Sequence, residues 1–126
     1  MANEINIQAV LTLQRYTPAL QGIGNLTVTQ TGTKCVSNVV NVTTGASSLV
    51  QIEGTTQMTY LFVKNLDPTW VTNNYVDVGL DNPPSAKIVA RLHAGEFCLI
   101  PIQPAAILYA KASGAATDIA YIAACA

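Results

Sequence analysis

The stretch "LHAGEFC", Leu92 to Cys98, holds the only histidine of the chain together with a carboxylate and a thiol. His93, Glu96 and Cys98 are the residue types of a nucleophile and its base. Their setting argues for a different role. "HAGE" reads as a turn, with His93 at its entry and Gly95 at the bend. On the strand that follows, Glu96 and Cys98 share a face, and nothing nearby in the sequence orients the imidazole. One histidine cannot supply the ligand cluster of a metal-holding jelly roll. Cys35, Cys98 and Cys125 are too widely spaced for zinc and read as small buried thiols. Asp67, Asp77 and Asp81 could serve as paired acids or as calcium ligands. Yet Asp67 precedes Pro68 and Asp81 sits in "LDNPPS", both turn positions where a carboxylate caps its own backbone. The expectation is a chain that is not an enzyme, with no catalytic residue, no metal and no cofactor.

Trp70 is the sharper feature. It is the single Trp, and it lies between "LFVKNL" and "NYVDVG" among Thr69, Val71, Thr72, Asn73 and Asn74. An aromatic in a polar loop can stack on a sugar ring or anchor in a partner's pocket. It can also close over its own core. The sequence leaves all three readings open, and the sugar reading adds Tyr75 and Asn73–Asn74 to the site.

Of the 126 residues, half are apolar and only 10% are charged, with a net charge of −1. Typical domains carry about 25% charged residues. A folded monomer of this size shows roughly 6,500 Å² to water. Thirteen charged side chains leave much of that neutral. Part of it is expected to be apolar and covered by another subunit, as a homo-oligomer or lattice member. Arg15, Lys34, Lys64, Lys87, Arg91 and Lys111 are scattered rather than clustered, so no nucleic-acid partner is expected. "MANEINIQAVLTLQ" lacks the basic start and apolar core of a signal peptide, and no apolar run approaches the roughly 18 residues of a membrane span. Neither secretion nor a membrane is expected.

Whatever these residues do, strands must position them. Alternation of apolar and polar residues dominates: "INIQAVLTLQ", "NLTVTQTG", "CVSNVVNV", "SLVQI", "TYLFVKNL", "YVDVG", "AKIVARL", "EFCLIPI", "AILYAKA" and "DIAYIA". Turn residues recur between them, including Pro18, Gly22, Gly24, Gly32, Gly54, Asp67-Pro68, Pro83-Pro84, Gly95, Pro104 and Gly114. This spacing predicts one all-β domain over 1–126, an antiparallel sandwich or jelly roll of nine to ten short strands. "YLFVKNL" and "NYVDVG" read as a paired hairpin with Trp70 at its tip. Residues 1–33, rich in Thr and Gln, read as an edge layer or as strands exchanged with a neighbour. The late strands are apolar on both faces: Phe97 and Leu99 on one side of "EFCLIPI", Cys98, Ile100 and Ile102 on the other, and "IAYIAACA" likewise. Such strands are covered on both faces.

From Tyr60 onward the chain resembles small virion proteins of tailed bacteriophages. The likeness lies in the order of "LFVKNLD", "NYVDVG", "ARLHAGEFCLIPI" and "LYAKASGAATDIAYI", about the last half of the chain. The family pattern is departed from at "PTWV" and at the long "LDNPPSAK". The resemblance implies a β-sandwich assembled in the host cytoplasm into a virion. The favoured role is a capsid decoration or cement protein, a trimer seated on the major capsid protein. The alternatives are a tail, neck or baseplate component, and a carbohydrate-binding module on a host-facing fibre. The surface offered to a neighbour is expected to include Trp70, Asn73, Asn74 and Tyr75 in the loop, with Cys98, Ile100, Ile102 and Tyr121 on the late strands.

Overall fold

A computed structural model describes residues 4–15, 17–30, 35–45, 48–49, 59–82, 84–85, 87–103 and 106–125. Among them are ten strands and no helix: β1 (Glu4–Leu13), β2 (Leu20–Thr29), β3 (Cys35–Val42), β4 (Ser48–Leu49), β5 (Thr59–Asn65), β6 (Val76–Gly79), β7 (Ile88–Leu92), β8 (Phe97–Ile102), β9 (Tyr109–Ala112) and β10 (Thr117–Cys125). The fold is all-β, and every pairing is antiparallel. The turn signals at Gly32, Gly54, Pro83 and Pro104, and the Val50–Ile52 end of "SLVQI", lie outside the described residues.

The strands form three sheets. β1 and β2 pair only with each other, and two four-stranded sheets have the orders β3-β10-β5-β8 and β4-β9-β6-β7. From β3 onward the chain passes from one four-stranded sheet to the other at each connection, except between neighbours β6 and β7. Both sheets feed one core. Val42, Leu61, Val63, Ile119 and Ala123 come from the first, and Val76, Val78, Ala110 and Ala112 from the second. Small and β-branched residues dominate because two pleated surfaces meet closely there.

Four expectations are corrected. β5 and β6 are not a hairpin, because they belong to different sheets. Alternation marks each strand, but it does not say which strands pair. Gly22 and Gly24 do not mark a turn. They lie inside β2, whose register with β1 runs unbroken from Leu20↔Leu13 to Thr29↔Glu4. Within residues 4–29 the chain forms one two-stranded antiparallel hairpin.

The third correction concerns the late strands. In β8, Cys98, Ile100 and Ile102 face the core, while Phe97, Leu99 and Pro101 face outward. In β10, Tyr121 is buried and Ile122 is exposed. Ile102 and Tyr121 thus belong to the chain's own core, and Cys98 and Ile100 pack against it half-buried. The outward surface of the sheet β3-β10-β5-β8 is carried by the opposite parity: Val39, Tyr60, Phe62, Phe97, Leu99 and Ile122, with Lys64 beside Phe97. Both faces are apolar, and the residues left exposed lie on the side opposite to Cys98, Ile100, Ile102 and Tyr121. Of the thiols, Cys125 is buried, Cys98 half-buried and Cys35 exposed, so the buried-thiol expectation fails at Cys35.

Candidate functional site

The connection from β5 to β6 crosses between sheets, and its backbone is fastened at several points. Asn65, buried at the end of β5, donates its side-chain amide to the Leu92 carbonyl (2.9 Å) and accepts the Asp67 N–H (2.9 Å). Asp67 then accepts the Thr69 N–H (3.0 Å) and the Asn74 side-chain amide (2.9 Å). Such local acceptors are why Asn and Asp initiate turns. Asn74 Oδ1 accepts the Ala115 N–H (3.1 Å), and Ser113 Oγ donates to the Asn73 carbonyl (3.1 Å). The loop is clamped to the β9–β10 turn. At Gly114 a Cβ would fall 2.7 Å from the Asn73 carbonyl oxygen, so the clamp requires glycine.

This clamped loop holds Trp70 outward, with 56% of its surface exposed. One face of the indole stacks on His93, with ring centroids 5.0 Å apart and planes 28° apart. Tyr75 meets His93 edge-on at 5.5 Å. The Arg91 guanidinium lies 4.0 Å over the Tyr75 ring. Arg91 in turn holds Asp77 through Nε–Oδ1 at 2.8 Å and Nη2–Oδ2 at 3.1 Å. The result is a continuous ladder, Trp70–His93–Tyr75–Arg91–Asp77, in which flat groups support one another. Glu96 fixes its centre, accepting the His93 N–H at 2.7 Å and approaching Nδ1 at 3.2 Å. The backbone N–H bond holds the Glu96 carboxyl below its ordinary range, with the imidazole adding to it. Asp77 likewise raises the Arg91 guanidinium, chiefly by hydrogen bonding.

The structure brings Trp70 and Tyr75 into one assembly, but with His93 between them. It assigns Asn73 and Asn74 to the loop clamp, where the Asn74 side chain already has two partners. His93 is oriented after all, by Glu96 and by the indole. Cys98 does not complete a nucleophile. Burial pushes its thiol up, away from the thiolate that attack requires. The three carboxylates act separately: Asp67 caps the loop, Asp77 pairs with Arg91, and Asp81 accepts Ser85 Oγ and the Ser85 and Lys87 N–H groups. The sequence presents Asp77 only as an acid or calcium ligand and Arg91 only as a scattered charge; their pairing escaped it. Their signal was a cross-strand pair, Asp77↔Arg91, visible only once β6 and β7 are known to be neighbours.

No protein-family model, curated protein or solved structure matches this chain. Geometry and the sequence phrases together carry the functional argument.

Proposed function

We propose that the chain is a non-enzymatic structural subunit of a tailed-phage virion, most simply a decoration protein on the outside of the capsid. The observation that carries this is the amount of ordered apolar surface left open. Phe97 is 65% exposed beside a half-exposed Ile122 and Leu99, and the β1–β2 hairpin exposes more. Surface of that kind is retained where another subunit covers it. The strand order adds support. Read as two facing sheets, β3–β10 follow the order of an eight-stranded jelly roll, an architecture used by viral capsid and lectin domains alike. The near-neutral surface suits dense packing of like copies, where net charge would repel. As a cement, each copy would span a seam between shell subunits. The buried area would then oppose shell opening by mass action.

The test is to count copies per purified particle against the major shell protein by quantitative mass spectrometry. Hundreds of copies in fixed ratio to the shell protein support decoration. Six, twelve or a few tens place the subunit at the neck, tail or baseplate. None at all overturns the virion reading.

One observation favours a second reading. Trp70 is exposed yet held rigid from behind by His93, which is how a sugar-stacking platform is built. Glycan-array binding that disappears in Trp70→Ala would support it. An array without signal, for a protein that still assembles, would remove it.

A further inference from the structure

The β1–β2 hairpin is two-faced. Its register puts Ile5, Ile7, Leu11, Leu13, Leu20 and Leu26 on one side, with Asn6, Gln8, Thr12, Gln21, Asn25 and Thr27 on the other, interrupted there only by the facing pair Val10 and Ile23. Only the end nearest the body uses the apolar side within the chain. Ile5 and Ile7 are half-buried and share a cleft with Tyr60, Phe62, Leu99 and Ile122 on the outer face of the sheet β3-β10-β5-β8. Beyond that point the same side lies open: Leu11 is 67% exposed, Leu20 53% and Leu13 47%. A two-stranded sheet without a covering layer is marginal in water. The outer face of the body has matching open ground at Phe97 and Val39.

We infer that the distal half of the hairpin lies on the outer sheet face of a second copy, continuing the contact its own proximal half makes. The inference rests on the structural-subunit reading above. Continuity selects the occupant, because one apolar strip is already seated on this kind of surface for part of its length. The open side of the hairpin carries no charge, and on the receiving face only Lys64 lies between Phe97 and Val39, so like copies meet without repulsion. Gly22 and Gly24 agree with this. They sit on the open apolar side opposite Leu11 and Ala9, and a Cβ at either would meet nothing within 4 Å. Glycine weakens a strand interior, and with the register unbroken here close approach of another backbone is one of the reasons that would retain it. The distal half of the hairpin face covers only about 160 Å² in plan. One such contact is well short of the roughly 800 Å² per partner of a stable pair. A closed assembly, in which every copy gives a hairpin and receives one, doubles what each copy buries, and the association stays weak.

Sedimentation velocity on the full chain tests this at about 100 μM, a concentration that would populate even a weak assembly. The wild type is expected at a multiple of its 13.3 kDa mass. Gly24→Val fills the slot without a clash inside the chain, so its thermal midpoint should hold while association weakens at least about tenfold. Phe97→Ser should weaken association similarly from the receiving side. Asn25→Val, on the polar side, should leave it intact. A monomeric wild type, a Gly24→Val variant as associated as wild type, a Phe97→Ser variant without effect, or equal loss in Asn25→Val would each overturn the inference. A monomeric chain found in hundreds of copies per particle overturns this inference and leaves the virion reading standing. A chain that assembles as described but is absent from particles does the reverse.

Discussion

Trp70 shows how an exposed aromatic can be rigid without being buried. Its orientation comes from His93 behind it, and His93 is set by Glu96, Tyr75 and, through Tyr75, by Arg91. Truncating Trp70 to Ala removes one ring stack and the covered part of the indole, less than half of it. Thermal denaturation should show a loss of about 1–3 kcal/mol, while any partner or glycan contact at the tip is lost outright. Gly114→Val acts in the opposite way, since its side chain would press on the Asn73 carbonyl. Backbone cannot yield there cheaply, and a loss of about 1–3 kcal/mol should appear in a urea midpoint. Glu96 predicts a pH effect. Its folded-state pKa lies below the ordinary value of 4.5, so the carboxylate's contribution is complete above that value. It is lost as pH falls through the lower, folded value. Glu96→Gln should therefore be less stable than wild type at pH 7, and the gap in melting temperature should close on acidification toward pH 3. A gap that stays constant would mean that the carboxylate's charge plays no part.

At the scale of the strand, one-residue parity separates core from exposed surface. Ile119 and Ile122 lie in the same strand, one fully buried and the other half-exposed. Ile119→Ala should cost about 2–5 kcal/mol in chemical denaturation and Ile122→Ala under about 1 kcal/mol. Equal costs would place the outer face in the monomer's own core. Strand existence was legible from the sequence because alternation is a local property: nearly every apolar–polar run became a strand. Both apolar faces of β8 and β10 were legible for the same reason. Which face looked inward was not, since Cys98, Ile100 and Ile102 are as apolar as Phe97 and Leu99. Pairing was not legible either. The segments around Trp70 read as a hairpin because they are adjacent, whereas β5 pairs with β10 and β8, and β6 with β7 and β9. The ladder suffered accordingly. Trp70 and Tyr75 were found as types in a loop, but His93 and Arg91 join them only through the β7–β8 turn and the β6–β7 register.

At the scale of the molecule, the hairpin and the eight remaining strands differ in how they are held. Amides of β1 and β2 bond only within their own sheet, so hydrogen exchange there should run roughly tenfold or more ahead of β5 and β10 in dilute protein. β10 has a different consequence. It lies between β3 and β5, hydrogen-bonded along its length to both, although it follows them by a long stretch of chain. Until Thr117–Cys125 leaves the ribosome, β3 and β5 have no common neighbour, and each offers an unpaired edge. At about 5–20 residues per second, that condition lasts several seconds for every nascent chain. The sheet can close only once its central strand has been made, so a pause or truncation upstream of Thr117 would leave a product with two sticky edges and no way to seal them.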